Sequence, residues 1–372
     1  NYWYYHQNGS AFGFGSELGA GVGTPELGSL KRFLSASDLD DLWKEPNKGV
    51  YHMSQNTSTF YDRKIYNTAL FARYGAPMSL EDYLLKVQMS DYEATRAEFE
   101  AYAARWTGVD RPATGVIYWM LNNAWPLLHW NLFDYYLQTA GAFFGTKTAS
   151  RIETAVYDYA SKNIYLINRS LGSSNSSASR SRTIDAELID TAGNVLTHFS
   201  LNASTTPNSS KNLSRVLGID DVKDTALLRL VLKAPGGEVL SRNVYWLSSI
   251  LDELDWEATE WWYTPVSKYA DYTALNTMAK AELQVSVTKK KKGDVVVLEN
   301  KSTVPAVFIR LNLVHEKGND IETPVFWDDN YVTLWPGEKM DVGVQGAGIG
   351  GAGIMVEVSG KNVDGQMVDF VI

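Results

Sequence analysis

Phe12-Gly13-Phe14-Gly15-Ser16-Glu17-Leu18-Gly19-Ala20-Gly21-Val22-Gly23 is the stretch whose reading decides the fold. From Ala11 to Gly15 apolar and small residues alternate, the pattern of a buried strand. Gly15 and Ser16 keep that strand narrow, so that another backbone or a ligand can come close. Glu17 then stands at its C-terminal end, where glycines break the chain into a loop. In a β/α barrel, catalytic side chains come from that end of the strands. A carboxylate there can act as nucleophile or as acid/base toward a glycosidic bond. From this stretch alone the plainer role is the more common one: a strand-end Glu that caps the next helix or pairs with a Lys.

Working outward, residues 24–45 carry helical spacing, with Pro25 suited to a first turn and Leu27, Leu30, Phe33 and Leu34 on one face. A second helix is expected to begin after Ser37 or Asp38 and to close near Trp43. A long helical region is predicted from about residue 59 to 106, with a capping-box-like start at Ser79-Leu80-Glu81-Asp82 and a stop at Gly108 and Pro112. Thr114-Gly115-Val116-Ile117-Tyr118-Trp119-Met120-Leu121-Asn122-Asn123 reads as a second strand, running into a loop that holds Trp125, Pro126, His129 and Trp130. Residues 134–150 read as helix or helix-turn. The order strand, helices, strand, helix is that of two β/α units, which do not close a fold by themselves.

The pattern changes near Ile152. Short alternating strands follow, among them Ile184-Asp185-Ala186-Glu187-Leu188-Ile189 and Leu227-Leu228-Arg229-Leu230-Val231-Leu232, separated by turns such as Pro235-Gly236-Gly237. That spacing is the signature of an antiparallel sandwich. An aromatic and acidic connector with Trp256, Trp261, Trp262 and Tyr263 interrupts it, and alternation resumes at Ala281 and reaches the terminus. The expected divisions are 1–150 for the barrel portion, 151–250 for one sandwich, 251–274 for the connector and 275–372 for a second sandwich. The fold class is therefore α+β and multidomain: the last two β/α units of a TIM barrel followed by two antiparallel, immunoglobulin-like β-sandwiches.

Composition narrows the function. A length of 372 residues exceeds one compact core. The net charge of −9 gives nucleic-acid binding no electrostatic support. With no Cys, thiolate metal sites, thiol nucleophiles and disulfide scaffolds are excluded. The five His show no metal spacing, no metal or cofactor is expected, and no apolar run is long enough to span a membrane. Aromatic residues reach 12%, which suits carbohydrate sites that need flat apolar faces with polar edges, although sandwich cores favour aromatics too.

Sequons at Asn8, Asn56, Asn168, Asn175, Asn202, Asn208, Asn212 and Asn300 lead us to expect a secreted, extracellular glycoprotein, with Asn175, Asn202, Asn208 and Asn212 in Ser/Asn/Thr-rich loops. The opening Asn1-Tyr2-Trp3-Tyr4-Tyr5-His6 has no leader character and reads like the interior of a longer chain. Gly348-Ile349-Gly350-Gly351-Ala352-Gly353 fits a dinucleotide fingerprint in letters only, because the residues after it alternate like a strand where that site needs a helix. Lys289 to Lys292 is a basic run at a hairpin tip, read as solvated edge protection.

Two stretches carry a family resemblance. Phe14-Gly15-Ser16-Glu17, and Gly115 to Pro126 continuing through Leu128-His129-Trp130-Asn131-Leu132-Phe133-Asp134-Tyr135-Tyr136, resemble the end of the barrel in glycoside hydrolase family 2, most closely its exo-β-D-glucosaminidases that trim chitosan. Asn243-Val244-Tyr245-Trp246-Leu247, Trp262-Tyr263-Thr264-Pro265 and Trp327-Asp328-Asp329-Asn330 resemble the same enzymes' two C-terminal sandwiches. The resemblance implies that Glu17 is the nucleophile of a retaining double displacement, its carboxyl about 5–5.5 Å from a partner acid. It implies that Trp119 lines the −1 sugar subsite; Trp119, Asn122 and Tyr2 form the expected substrate-binding set. The acid/base residue of the family lies upstream, so the expected partners are chitosan or another β-linked oligosaccharide and the N-terminal remainder of the same enzyme. β-Mannosidases and endo-β-mannosidases share the Trp-x-Leu-Asn core and stay open as an alternative, as does a non-catalytic carbohydrate-binding sandwich fragment.

Overall fold

The computed structural model describes residues 3, 10–50, 52–107, 109–172, 179–290, 293–316, 323–346, 349 and 353–370. Tyr2, Asn8 and Asn175, most of the Gly-rich run and the last two residues of the basic run lie outside them. The chain divides into two compact units. Unit 1 holds Asn1–Ala20, Ala94–Trp119 and Thr146–Ala274, and unit 2 holds Gly21–Glu93, Met120–Gly145 and Leu275–Ile372.

In unit 1, strands β1 (Gly13–Leu18) and β2 (Ala113–Tyr118) pair in parallel. They are the two β/α strands expected from the sequence, but β1 is not the buried strand its alternation predicts, its Phe14 being 59% exposed, and β2 stops at Tyr118, short of the predicted Asn123. A cluster of Trp3, Ala11, Ala101, Tyr102, Ala104, Ala113, Val156, Tyr165 and Ile167 buries the β1 and β2 starts against helix residues 101–104 and the first sandwich.

That sandwich has one sheet of β3 (Glu153–Tyr157), β4 (Asn163–Asn168) and β7 (Ser209–Arg215). The other has β5 (Arg180–Asp190), β6 (Val195–Thr205), β8 (Thr225–Lys233) and β9 (Val239–Ser248) in the order β6-β5-β8-β9. Alternation drives the packing: Ile184, Ala186 and Leu188 on β5 and Leu228, Leu230 and Leu232 on β8 point inward to meet Ala155, Tyr157, Ile164 and Leu166. A short pair, β10 (Glu253–Leu254) and β11 (Val266–Lys268), follows.

Unit 2 contains the one-turn α1 (Leu27–Leu30), α2 (Ala36–Lys44) and α3 (Lys64–Tyr74). Ser35, rather than Ser37 or Asp38, begins α2. Its hydroxyl accepts from Asp38 N at 3.2 Å while the Asp38 carboxylate accepts from Ser35 N at 3.0 Å, a reciprocal capping box. Gly75, at φ 77°, ends α3, and α4 (Leu80–Ala104) starts where Asp82 N donates to Ser79 Oγ at 3.2 Å. The predicted long helical region is thus two helices.

At residues 134–140 the backbone turns on Asp134, whose Oδ1 accepts from Tyr136 N and Gln138 N, and only then does α5 (Gly141–Ala149) begin. The second sandwich of unit 2 pairs β12 (Leu283–Lys290), β13 (Gly293–Asn300), β15 (Val325–Trp327) and β17 (Lys339–Gly346) in one sheet, order β12-β13-β17-β15. The facing sheet has β14 (Ala306–His315), β16 (Val332–Leu334), β18 (Ile354–Ser359) and β19 (Gln366–Asp369), order β16-β14-β18-β19.

Two sequons are corrected by burial. Asn300 is fully buried, and its Nδ2 donates to the carbonyls of Val304, Leu334 and Trp335. Asn168 is 1% exposed with its Nδ2 sealed from solvent. Neither amide can carry a glycan in the folded chain. Asn202 and Asn212 sit on β6 and β7, where loops were expected, yet both are exposed, as are Asn56 and Asn208.

Within unit 1, the fully buried Glu100 accepts from the Tyr245 hydroxyl at 2.9 and 3.0 Å. Burial pushes its carboxyl up to about 7, against the opposing charge of Arg96, the Tyr245 hydrogen bond, and the charges of Arg169 and Arg151. An acid that holds its proton more tightly folded than unfolded adds stability while protonated. That contribution is complete below the ordinary value of 4.5 and is lost as pH rises through about 7. Its size is about 3 kcal/mol. Glu100→Gln should therefore flatten the fall in urea midpoint between about pH 5 and about pH 8. An unchanged slope would contradict this.

Candidate active site

Glu17 and Trp119 come together at the C-terminal ends of β1 and β2. Leu18 is registered with Tyr118, and the ladder continues one step as Trp119 N donates to Leu18 O at 2.7 Å. Leu18 and Tyr118 turn inward, whereas Glu17 is exposed and Trp119 is 44% exposed. Between Gly15↔Val116 and Leu18↔Tyr118, three residues of advance on β1 match two on β2. The extra residue is a bulge at Ser16-Glu17, a device that re-aims a side chain at a strand end.

The glycines flanking the bulge are required by close packing. A Cβ on Gly15 would lie 2.7 Å from the Tyr102 hydroxyl, and one on Gly115 would lie 2.7 Å from the Phe14 ring. The turn after Glu17 is tied down from beneath. Ala20 N donates to the buried Glu98 carboxylate at 3.1 Å, and the Tyr118 hydroxyl donates to Ala20 O at 3.3 Å. Burial first, then the Glu98 charge, pushes the Tyr102 phenol up. The arrangement is an exposed carboxylate on a bulge, on a short rigid turn, beside an exposed indole. It can offer a nucleophile and a stacking face to one sugar ring.

The sequence singles out Glu17 and Trp119 as candidates, whereas Glu98, Tyr102 and the bulge beside them emerge only from the structure. Glu98 and Tyr102 keep i,i+4 spacing on α4, and nothing in that spacing distinguishes a buried carboxylate under a loop from an ordinary helical one.

Unit 2 carries the continuations of both strand ends. Val22 N and Thr24 N donate to Asp91 at 2.8 and 2.9 Å, and Tyr66 adds its hydroxyl at 3.0 Å. Asn131 Nδ2 donates to Gly23 O at 3.0 Å, and Asn123 Nδ2 donates to the carbonyls of His129 and Trp130. Gly23 has φ +63°, and a Cβ there would meet Asn131 N at 2.6 Å. Asn122 is exposed, its Nδ2 donating to Asp134 O at 3.2 Å. His129 is buried and held neutral; burial, then the charge of Arg63, brings it down to about 3.

A cleft of about 860 Å³ in unit 2 is lined by Glu26, Arg310, Tyr331 and Glu357 among others. Within it Arg310 bridges Glu26 at 2.9 Å and Glu357 at 2.7 Å, and the Tyr331 hydroxyl donates to Glu26. Among the described residues no group of three His, Asp or Glu side chains is placed to hold a metal.

A partial parallel barrel with a strand-end carboxylate, followed by two antiparallel sandwiches, is the architecture of glycoside hydrolases of the family 2 type. Residues 261–363 match the family model described as the exo-β-D-glucosaminidase Ig-fold domain. The exo-β-D-glucosaminidase of Hypocrea jecorina is 55% identical over 99% of this chain and 42% of its own length. The crystal structure of the Amycolatopsis orientalis exo-chitosanase CsxA superposes with a TM-score of 0.90 at 34% identity, covering 99% of this chain and 44% of that one. Structures of Asp-to-Ala and Glu-to-Ala variants of that enzyme hold PNP-β-D-glucosamine. An endo-β-mannosidase of Lilium longiflorum matches at 22% identity over 90% of this chain and 40% of its own. The chain is a homologue, over nearly its whole length, of part of the exo-β-D-glucosaminidases. It spans about two-fifths of the length of the relatives it matches.

Proposed function

We propose that this chain is the C-terminal part of a retaining exo-β-D-glucosaminidase that removes terminal β-1,4-linked glucosamine from chitosan oligosaccharides. The observation that carries the proposal is Glu17, exposed on its bulge at the end of β1 with Trp119 beside it at the end of β2. Glu17 attacks C1 of the terminal sugar and the glycosidic bond breaks. An acid supplied by the N-terminal remainder of the enzyme protonates the leaving oxygen. Water, deprotonated by that same group, then attacks C1, and Glu17 leaves as a carboxylate. Trp119 packs against the −1 sugar, and Asn122 and Tyr2 contribute to substrate binding.

The proposed divisions are 1–150 for the end of the barrel, 151–250 and 275–372 for the sandwiches and 251–274 for the connector. The enzyme acts outside the cell, and the exposed sequons at Asn56, Asn202, Asn208 and Asn212 support that reading. Glucosaminide is favoured over mannoside because identity is 55% to a glucosaminidase and 22% to an endo-β-mannosidase. Comparing kcat/KM of the complete enzyme on aryl β-glucosaminide and aryl β-mannoside tests the choice. Preference for the glucosaminide is expected, and preference for the mannoside would reverse it.

Trp119→Ala in the complete enzyme should lower kcat/KM by a factor corresponding to about 1–3 kcal/mol, with little loss of Tm because the ring is already half in solvent. Wild-type turnover, or failure to fold, would remove Trp119 from the subsite.

A further inference from the structure

The loop between β10 and β11 presents an apolar side chain to solvent without a structural reason inside unit 1. Trp261 is 83% exposed there, although burying an indole is among the larger apolar gains open to a chain. The loop holds its own shape. Asp255 N donates to Pro265 O at 2.9 Å across its base, Glu260 N donates to Tyr263 O at 2.9 Å, and the Asp255 carboxylate accepts from Ala258 N at 3.1 Å. The next two residues, Trp262 and Tyr263, pack on each other with ring centroids 4.2 Å apart and planes tilted by 35°.

Its charge is of one sign. Residues 250–265 contain Asp252, Glu253, Asp255, Glu257 and Glu260 and no Lys, Arg or His. Glu253 is matched by Lys268 at 3.1 Å, whereas Glu257 and Glu260, four residues and one residue before Trp261, are exposed and no basic side chain pairs with them among the described residues. An indole accepts the C–H face of a sugar ring and attracts ammonium groups, and carboxylates around it select a cationic sugar over a neutral one.

We propose that the β10–β11 loop is a surface subsite for the cationic glucosamine polymer, with Trp261 stacking on a ring and Glu257 and Glu260 receiving amines. It rests on the reading of the substrate as a glucosamine chain. The test is co-sedimentation of the complete enzyme with insoluble deacetylated chitosan and with chitin, alongside hydrolysis of a soluble aryl β-glucosaminide. Trp261→Ala should weaken retention on chitosan by at least about tenfold. Trp261→Phe should retain most of it, and Glu257→Gln with Glu260→Gln should remove its salt dependence. Aryl glucosaminide hydrolysis should stay within about twofold of wild type in every variant.

Unchanged retention in Trp261→Ala, chitin retained as well as chitosan, or hydrolysis falling in step with retention would each overturn the subsite. The two readings separate cleanly. A wild type that hydrolyses no glucosaminide, but whose chitosan retention still depends on Trp261, defeats the proposed activity and leaves the subsite. Normal hydrolysis with retention indifferent to Trp261 does the reverse.

Discussion

Glu17→Gln in the complete enzyme should reduce turnover of an aryl β-glucosaminide by many orders of magnitude while leaving the fold and KM nearly unchanged. The substitution keeps the side chain's volume and its place on the bulge, and removes the oxygen nucleophile. The residues around it cannot substitute. Ser16 lacks a base, Glu98 is buried and already accepts from Ala20 N, and Tyr118 donates its hydroxyl to Ala20 O. With the nucleophilic step gone, only the acid outside this chain and the binding contacts remain, and these do not form a glycosyl-enzyme. In Glu17→Ala, which vacates the space of the carboxylate, an externally added small nucleophile such as azide should restore part of the rate, which a folding defect would not allow.

Arg63→Met should be the most destabilising single change in unit 2. Arg63 is 1% exposed, and its guanidinium donates to the Tyr83 hydroxyl at 2.9 Å, Thr24 Oγ1 at 3.2 Å and Leu128 O at 3.4 Å. Its charge faces Asp91, which is fully buried and accepts from Val22 N, Thr24 N and Tyr66. Burial pushes the Asp91 carboxyl up even so, against those hydrogen bonds and the Arg63 charge. Methionine fills the volume but leaves the acid without a counter-charge and three acceptors without a donor, at a cost of about 3–5 kcal/mol. Asp91→Asn added to Arg63→Met should recover part of that in urea unfolding. Strict additivity of the two changes would mean the groups act separately.

The elements legible in the sequence were those whose partners are close in the chain or whose periodicity is forced by burial. β5 and β8 alternate because one face of each meets a hydrophobic core, and Ser79 with Asp82 announces the start of α4. β1 was readable from its small residues, and the structure gives the reason at Gly15: Tyr102 and Leu18 occupy the space a Cβ would need.

What could not be read depends on contacts distant in sequence. Asp91 holds residues 22 and 24, and Glu98 holds residue 20, across 67 to 78 positions. No local pattern encodes those pairs. The bulge at Ser16-Glu17 is visible only in the register with β2. The sequons at Asn168 and Asn300 show the same limit, since the three-residue motif is indifferent to the burial that makes both amides structural. β2 ended early for a related reason: past Tyr118 the apolar residues Met120 and Leu121 belong to a loop whose backbone pairs with Leu132 and Phe133.

A nucleophilic Glu17 would leave its carboxylate oxygen bonded to C1 of the sugar. The complete enzyme, incubated with a 2-deoxy-2-fluoro glycoside of gluco configuration, in which fluorine replaces the 2-amine, and digested, should yield a labelled peptide containing Ser16-Glu17-Leu18, with fragmentation placing the sugar on Glu17. A label on any other carboxylate would contradict the central claim.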